Sequence, residues 1–138
     1  MATIIFILLF TIPAFCPGAK CFYIERQKEI KLFDPILYAF QAIESNFDTD
    51  TINRLGYGGI LQIGQEMIDE VNRIYKMKGI IKSCTLTDRL DSTKSVQMWY
   101  IVQNYWNPSY EIKKACKVWN PLASIKYYNK IKAKLLKQ

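Results

Sequence analysis

The stretch AIESNFDTDTINRLGYGGILQI (42–63) joins the end of an apolar segment to a turn rich in glycine. Upstream, Asp34-Pro35 supplies a side-chain acceptor for a helix cap and a proline suited to the first helical turn. A helix is therefore predicted from there to Glu44. The glycines within 56–59 are too numerous for a helix interior, so a short hairpin or loop is predicted to follow.

Apolar spacing and capping residues predict four more helices downstream of this turn. They cover residues 66–75, Ser92 to Trp106, Ser109 to Trp119, and the segment that begins at Ser124. Residues 79–91 are predicted to be a connector. The predicted fold class is mainly α, with about five or six helices and one short glycine-rich hairpin or turn.

The composition indicates one ordered domain preceded by a different kind of segment. Half of the 138 residues are hydrophobic and 22% are charged, which permits a single packed core. Met1–Thr11 is almost continuously apolar but only about half as long as the roughly twenty residues that span a membrane. It is typical of a secretory signal, the alternative being a buried N-terminal strand or helix. We therefore predict a signal-peptide-like segment at 1–21 and an exported domain at 22–138, without a stable membrane span once the leader is removed.

Histidine is absent from the sequence and no CxxC spacing occurs. Zinc sites of the usual finger or protease types, and triads with a histidine base, are therefore excluded. No metal and no cofactor is predicted. Removal of the leader would leave Cys84 and Cys116, which could form a disulfide in an oxidising compartment or stay as two buried thiols.

The formal charge of +7 is concentrated at the carboxyl end of the chain. From Ile112 onward there are eight lysines and no acidic residue. Such a surface attracts polyanions in general, although a solvated helix face is the simpler interpretation. For an exported protein, peptidoglycan carboxylates, teichoic acids and lipid headgroups are the expected partners, and nucleic acid is not.

Several motifs occur in an order that resembles a known superfamily. AIESNF (42–47) and GGILQI (58–63) resemble the Glu-Ser helix end and the Gly-x-x-Gln turn of soluble lytic transglycosylases and goose-type lysozymes. The resemblance covers about residues 36–135 and continues through IGQEMIDEVNRI (63–74), LTDRLDSTKSVQMWYIVQNYW (86–106), KVWN (117–120) and IKYYNKI (125–131). It implies an α+β lysozyme-like fold, mainly helical, around a cleft that binds peptidoglycan glycan strands.

The resemblance also implies roles for individual residues. Glu44 would be the general acid and base, Ser45 would position it or the substrate, and Gly59 would let a sugar approach closely. Gln62 would contact the sugar, Asn120 would bind an N-acetyl or hydroxyl group, and Tyr127 would close the cleft. Each has a structural alternative: a solvated helix carboxylate for Glu44, helix-end or turn hydrogen bonding for Ser45, Gln62 and Asn120, backbone shape for Gly59, and core packing for Tyr127.

The implied reaction uses one carboxyl group. Ordinary glycoside hydrolysis uses two carboxylates, and the only acids soon after Glu44 are Asp48 and Asp50. Lytic transglycosylases instead use a single glutamate and the substrate's own 6-hydroxyl to cut the bond between N-acetylmuramic acid and N-acetylglucosamine. Pro121 stands where the family often has glycine.

Three alternatives to transglycosylation stay open at this stage. They are a lysozyme-type hydrolase, a noncatalytic peptidoglycan-binding component of a virion or conjugation apparatus, and a basic toxin that acts on membranes. The protein is expected to be a monomer or part of a larger assembly, either exported to the periplasm or extracellular space or associated with a virion.

Overall fold

The computed structural model describes residues 34–137, and these form a mainly helical unit. The elements are α1 (Pro35–Glu44), α2 (Gln65–Met77), a 3-10 helix (Leu86–Leu90), α3 (Ser92–Trp106), α4 (Ile112–Trp119) and α5 (Ile125–Leu135). Within this part of the chain the backbone forms isolated bridges but no strand. The mainly α class is thus confirmed, whereas the leader predicted at 1–21 and the start of the domain lie outside the described residues.

The first helix begins where the sequence predicts. The Asp34 side chain accepts hydrogen bonds from the backbone N–H groups of Ile36 and Leu37, at 2.9 and 3.2 Å. Pro35 occupies the first turn, where its missing N–H costs nothing. The Tyr100 hydroxyl also donates to Asp34, at 3.1 Å, and so ties this cap to α3.

The predicted start of α4 is wrong. Ser109 does not cap this helix, which begins three residues later at Ile112. The reason is the buried Asn107, whose Oδ1 accepts the Glu111 N–H at 3.1 Å and whose Nδ2 donates to the Glu111 carbonyl. This pair of bonds holds an intervening turn, in which Tyr110 adopts a positive φ of 54°.

Two other boundaries also differ from the sequence prediction. Asp91, and not Ser92, caps α3, because its side chain accepts the Lys94 N–H at 3.0 Å. The connector predicted at 79–91 contains the 3-10 helix, which begins at a capping box between Thr85 and Asp88.

The core lies where the helices pack in pairs. Helix α1 packs against α5, α2 against α3, and α4 against both α3 and α5. Phe40 and Trp99 are fully buried and meet edge to face, with ring centroids 5.9 Å apart. Burying each such side chain contributes about 1.5–3 kcal/mol, so this contact fixes α1 against the centre of the unit. No helix within residues 34–137 has the length and apolar character needed to cross a bilayer.

Candidate active site

Glu44 is the last residue of α1, and Tyr127 reaches it from the first turn of α5. The Tyr127 hydroxyl donates a hydrogen bond to Glu44 Oε1, and both side chains are partly buried. The ring of Tyr127 packs edge to face on Phe40, with centroids 6.3 Å apart. Two of the predicted site residues, 83 positions apart in the chain, are therefore in direct contact.

The protein environment favours the protonated form of Glu44. Burial raises the pKa of this carboxyl above its ordinary value of 4.5, because desolvation penalises the charged form. The hydrogen bond from Tyr127 acts in the opposite direction and partly offsets that rise in pKa. Burial and the nearby Glu44 charge also raise the pKa of Tyr127, so its hydroxyl stays protonated and remains a donor.

Ser45 connects the end of α1 to the glycine-rich turn. Its hydroxyl donates to the Ile60 carbonyl at 2.9 Å, and its backbone N–H closes the helix on the Gln41 carbonyl. Ser45 therefore fixes where Glu44 lies relative to residues 51–63. Within the described chain no hydrogen bond joins Ser45 to the carboxyl group itself, so its role toward Glu44 or the substrate stays a prediction.

Gln62 is built into the glycine-rich turn. Its side-chain N–H groups donate to the carbonyls of Thr51 and Gly59, at 3.2 and 3.0 Å, while its Oε1 accepts from Asn53 Nδ2 at 3.1 Å. Gln62 also adopts a positive φ of 48°, which is uncommon for a residue with a side chain. These contacts agree with the structural alternative for Gln62, in which its amide holds the turn.

Gly59 is required by a close approach of two backbone segments. Its φ is +75°, and a Cβ at this position would lie 1.9 Å from the Arg89 carbonyl oxygen. The absent side chain therefore lets the turn lie directly against the 3-10 helix. This contact is a structural reason for Gly59, whereas close approach of a sugar to it stays a prediction.

Arg89 is a residue that the sequence analysis missed. It is only 7% exposed, and its Nη1 donates to the carbonyls of Gly56 and Ile63, at 2.5 and 3.4 Å. Its own carbonyl accepts the Ser95 hydroxyl at 2.6 Å. Residues 34–137 supply no carboxylate that pairs with it and no acceptor for its Nε. A buried, charged side chain thus clamps the turn on which Ser45 rests, and only its contacts in the fold reveal it.

Asn120 lies at the carboxyl end of α4 and is engaged in the turn that follows. Its Oδ1 accepts the Leu122 N–H at 3.0 Å, and its backbone carbonyl accepts the Ala123 N–H at 2.8 Å. No recorded hydrogen bond in the described chain joins Asn120 or Gln62 to Glu44. The predicted cleft shared by these residues with Tyr127 stays a prediction.

The two acids after α1 differ from Glu44 in their surroundings. Exposed Asp48 accepts the backbone N–H groups of Asp50 and Thr51 and the Thr51 hydroxyl. These hydrogen bonds lower the pKa of Asp48. Asp50 is exposed as well and accepts the Thr49 hydroxyl at 3.2 Å. Both are accounted for as turn residues.

Cys84 and Cys116 are free thiols in this structure. Cys116 is 1% exposed within α4, and burial together with the charge of Glu44 raises its pKa to about 11. Cys84 is partly buried in the connector, where burial raises its pKa and its backbone is held by Asn72.

We expect both thiols to be recovered unpaired from protein prepared without reductant. Cys116 should alkylate much more slowly than Cys84, because the thiol is buried and thiolate is the reactive form. Peptide mass spectrometry after timed alkylation measures both rates. Recovery of a peptide pair joined through Cys84 and Cys116 would contradict this arrangement.

Comparison of the chain with protein-family models, curated proteins and solved structures finds no match in any of the three. The case for a function therefore rests on the contacts of Glu44 and on the resemblance of the sequence motifs.

Proposed function

We propose that this protein is a lytic transglycosylase that cleaves the bond between N-acetylmuramic acid and N-acetylglucosamine in peptidoglycan. The observation that supports it most is the Glu44 carboxyl group, which is partly buried at the end of α1 and bound by the Tyr127 hydroxyl. A carboxyl with a raised pKa can stay protonated and deliver its proton to a leaving oxygen.

In this mechanism Glu44 acts twice. It first protonates the glycosidic oxygen as the bond to the muramic anomeric carbon breaks. The resulting carboxylate then accepts the proton of the muramic 6-hydroxyl as that oxygen attacks the same carbon, which gives a 1,6-anhydro end. Because the attacking hydroxyl belongs to the substrate, it is held at a high effective concentration near the anomeric carbon, and it takes the place of an activated water.

Tyr127 stabilises the carboxylate between the two steps. Its hydroxyl donates to Glu44 Oε1, and a bond to an ionised acceptor is stronger than one to a neutral acceptor. The turn hydrogen bonds of Asp48 support the single-carboxylate mechanism, because they provide a structural role for the first acid after Glu44 in the sequence.

A noncatalytic peptidoglycan-binding protein is the second candidate. The amide of Gln62 and the Oδ1 of Asn120 are both engaged in their own turns, so the contacts predicted to complete a catalytic cleft around Glu44 lack support from these two residues. A hydrolase is the third candidate, in which water takes the place of the 6-hydroxyl.

Mass spectrometry of purified peptidoglycan after incubation with the protein distinguishes these candidates. We expect fragments with 1,6-anhydro-muramic ends. Reducing ends would establish hydrolysis instead, and retained binding without fragments would favour the noncatalytic protein.

Replacing Tyr127 by phenylalanine should move the alkaline limb of the pH–rate profile to higher pH. The Tyr127 bond lowers the pKa of Glu44, so its loss raises that pKa further and keeps the acid protonated to higher pH. The second step should slow at the same time, because the carboxylate loses its donor. The measurement is kcat/KM and kcat for release of anhydro fragments across the pH range.

Tyr128→Phe is the matched control, since it removes a hydroxyl from the next residue of α5, which has no recorded bond to Glu44 within the described chain. A profile for Tyr127→Phe that coincides with that of Tyr128→Phe would show that the tyrosine has no influence on the acid.

A further inference from the structure

A mostly apolar groove with lysines along it runs between α1 and α5. It is lined by Ile43, Lys130, Ala133, Lys134 and Lys137 and has a volume of about 170 Å³. Ile43 precedes Glu44 in α1, and Lys130 lies about one helical turn after Tyr127, whose hydroxyl binds Glu44. The groove therefore lies about one turn of α5 beyond that contact and follows α5 toward the carboxyl end of the chain.

The three lysines form one stripe along α5 and the turn after it. Lys130 and Lys134 lie one turn apart on one face of the helix, with side chains about 5–6 Å apart. Lys137 follows in the turn after the helix ends and lines the same groove. Preference of cations for the carboxyl end of a helix can explain a lysine in the last turn of α5, such as Lys134. It does not explain Lys130, which lies in the middle of the helix.

No acidic side chain in residues 34–137 neutralises this stripe. Helix α5 contains no acid, and the only acid within α1 is Glu44, which is bound by Tyr127. The ion pairs recorded in the described chain lie elsewhere, between Glu70 and Arg73 and between Asp88 and Lys94. Three lysines that line one groove without counter-charge repel one another, and an anionic occupant would relieve that repulsion.

We propose that this groove binds the carboxylates of the peptide stems carried by the peptidoglycan strand. The inference rests on the proposed function for the identity of the strand. A glycan held at Glu44 carries stems on its muramic residues, and the groove lies about one turn of α5 beyond the contact between Tyr127 and Glu44. The Ile43 and Ala133 side chains offer apolar contact to the stem, and the lysines pair with its carboxylates.

The test compares two triple variants with the same change in charge, each combined with Glu44→Gln so that cleavage does not alter the substrate. The groove variant is Lys130→Gln, Lys134→Gln and Lys137→Gln. The matched control is Lys113→Gln, Lys114→Gln and Lys117→Gln, which removes three exposed lysines from α4. Glutamine and lysine have similar helix propensity, and circular dichroism and thermal melting verify that both proteins fold.

Binding is measured on insoluble peptidoglycan freed of teichoic acid, with and without prior removal of the stems by an amidase. On stem-bearing material we expect the groove variant to bind about tenfold more weakly than the control, because three exposed ion pairs that each contribute little are lost together. Its binding should also depend less steeply on salt concentration. On stem-free glycan the two variants should bind equally.

Equal binding of the two variants to stem-bearing material would overturn the proposal, as would an equal loss on stem-free glycan. Peptidoglycan that retains its teichoic acid is measured in parallel, and a loss confined to that material would assign the groove to a phosphate polymer and also overturn the proposal. The same preparations incubated with the parent protein test cleavage separately. Absence of anhydro fragments with the groove effect intact would remove the proposed reaction and leave the binding groove standing.

Discussion

Replacing Glu44 by glutamine is expected to reduce the release of peptidoglycan fragments by a factor of about 10²–10⁴ or more. Glutamine keeps the size of the side chain and can still accept the Tyr127 hydrogen bond, but it can neither deliver a proton nor retrieve one. Because one group serves both half-reactions, the loss should lie at or above that range. Fragment release by the purified protein, quantified by chromatography and mass spectrometry, measures it.

The fold of the Glu44→Gln variant should be as stable as the parent or more stable near neutral pH. The pKa of Glu44 in the fold is raised above its ordinary value of 4.5, so any stabilisation by this carboxyl is fully present below that pH. It is lost as pH rises through the raised pKa. The difference in melting temperature, variant minus parent, should therefore increase with pH. A difference that decreases with pH would show that the fold favours the ionised form of Glu44.

Asp48→Asn and Asp50→Asn are the controls for the single-carboxylate mechanism. Both acids are exposed, so we expect fragment release to stay close to the parent level. If either variant loses as much activity as Glu44→Gln and the parent yields reducing ends, the protein is a two-carboxylate hydrolase. Full activity in Glu44→Gln would exclude this residue as the acid.

Among the glycine-to-alanine substitutions in the glycine-rich turn, Gly59→Ala should lower the free energy of unfolding the most. The new Cβ would meet the Arg89 carbonyl oxygen at 1.9 Å, and the residue would be held at a φ of +75°. The backbone strain costs roughly 1–3 kcal/mol, and displacement of packed backbone adds about 1–3 kcal/mol. The free energy of unfolding from urea titration is the measurement.

Gly56→Ala separates these two contributions. Gly56 also has a positive φ, +83°, but a Cβ there would meet nothing within 4 Å. It should therefore lose only the roughly 1–3 kcal/mol of backbone strain. Equal losses in the free energy of unfolding at the two positions would mean that the turn and the 3-10 helix can move apart at little cost.

Local signals in the sequence predict the helices better than the connections between them. The Asp34-Pro35 cap and the Ser124 cap are contained within a few residues, and the structure has both. The start of α4 was mispredicted because a buried side chain, Asn107, takes the backbone N–H group of Glu111. Burial of Asn107 is a property of the whole fold and leaves no mark on the adjacent sequence.

The candidate site shows the same division between local and distant causes. The motif around Glu44 is local and predicts this residue as the candidate acid, and the structure brings the distant Tyr127 into contact with it. Arg89 falls in the connector predicted at 79–91, where no local pattern distinguishes it. Its contacts with Gly56 and Ile63 span 33 and 26 residues, and no periodicity or spacing reports them.

The clamp by Arg89 bears on the order in which the protein assembles. Helices α1, α2 and α3 can each form from neighbouring residues, whereas the turn at 51–63 gains the Arg89 bonds only after the chain has been made through the 3-10 helix and has closed back on itself. Contacts of such long sequence separation are costly in loop entropy and form late. We therefore expect the segment beside Glu44 to consolidate after the helices, so that a refolding chain regains helical content before it regains the contacts around Glu44.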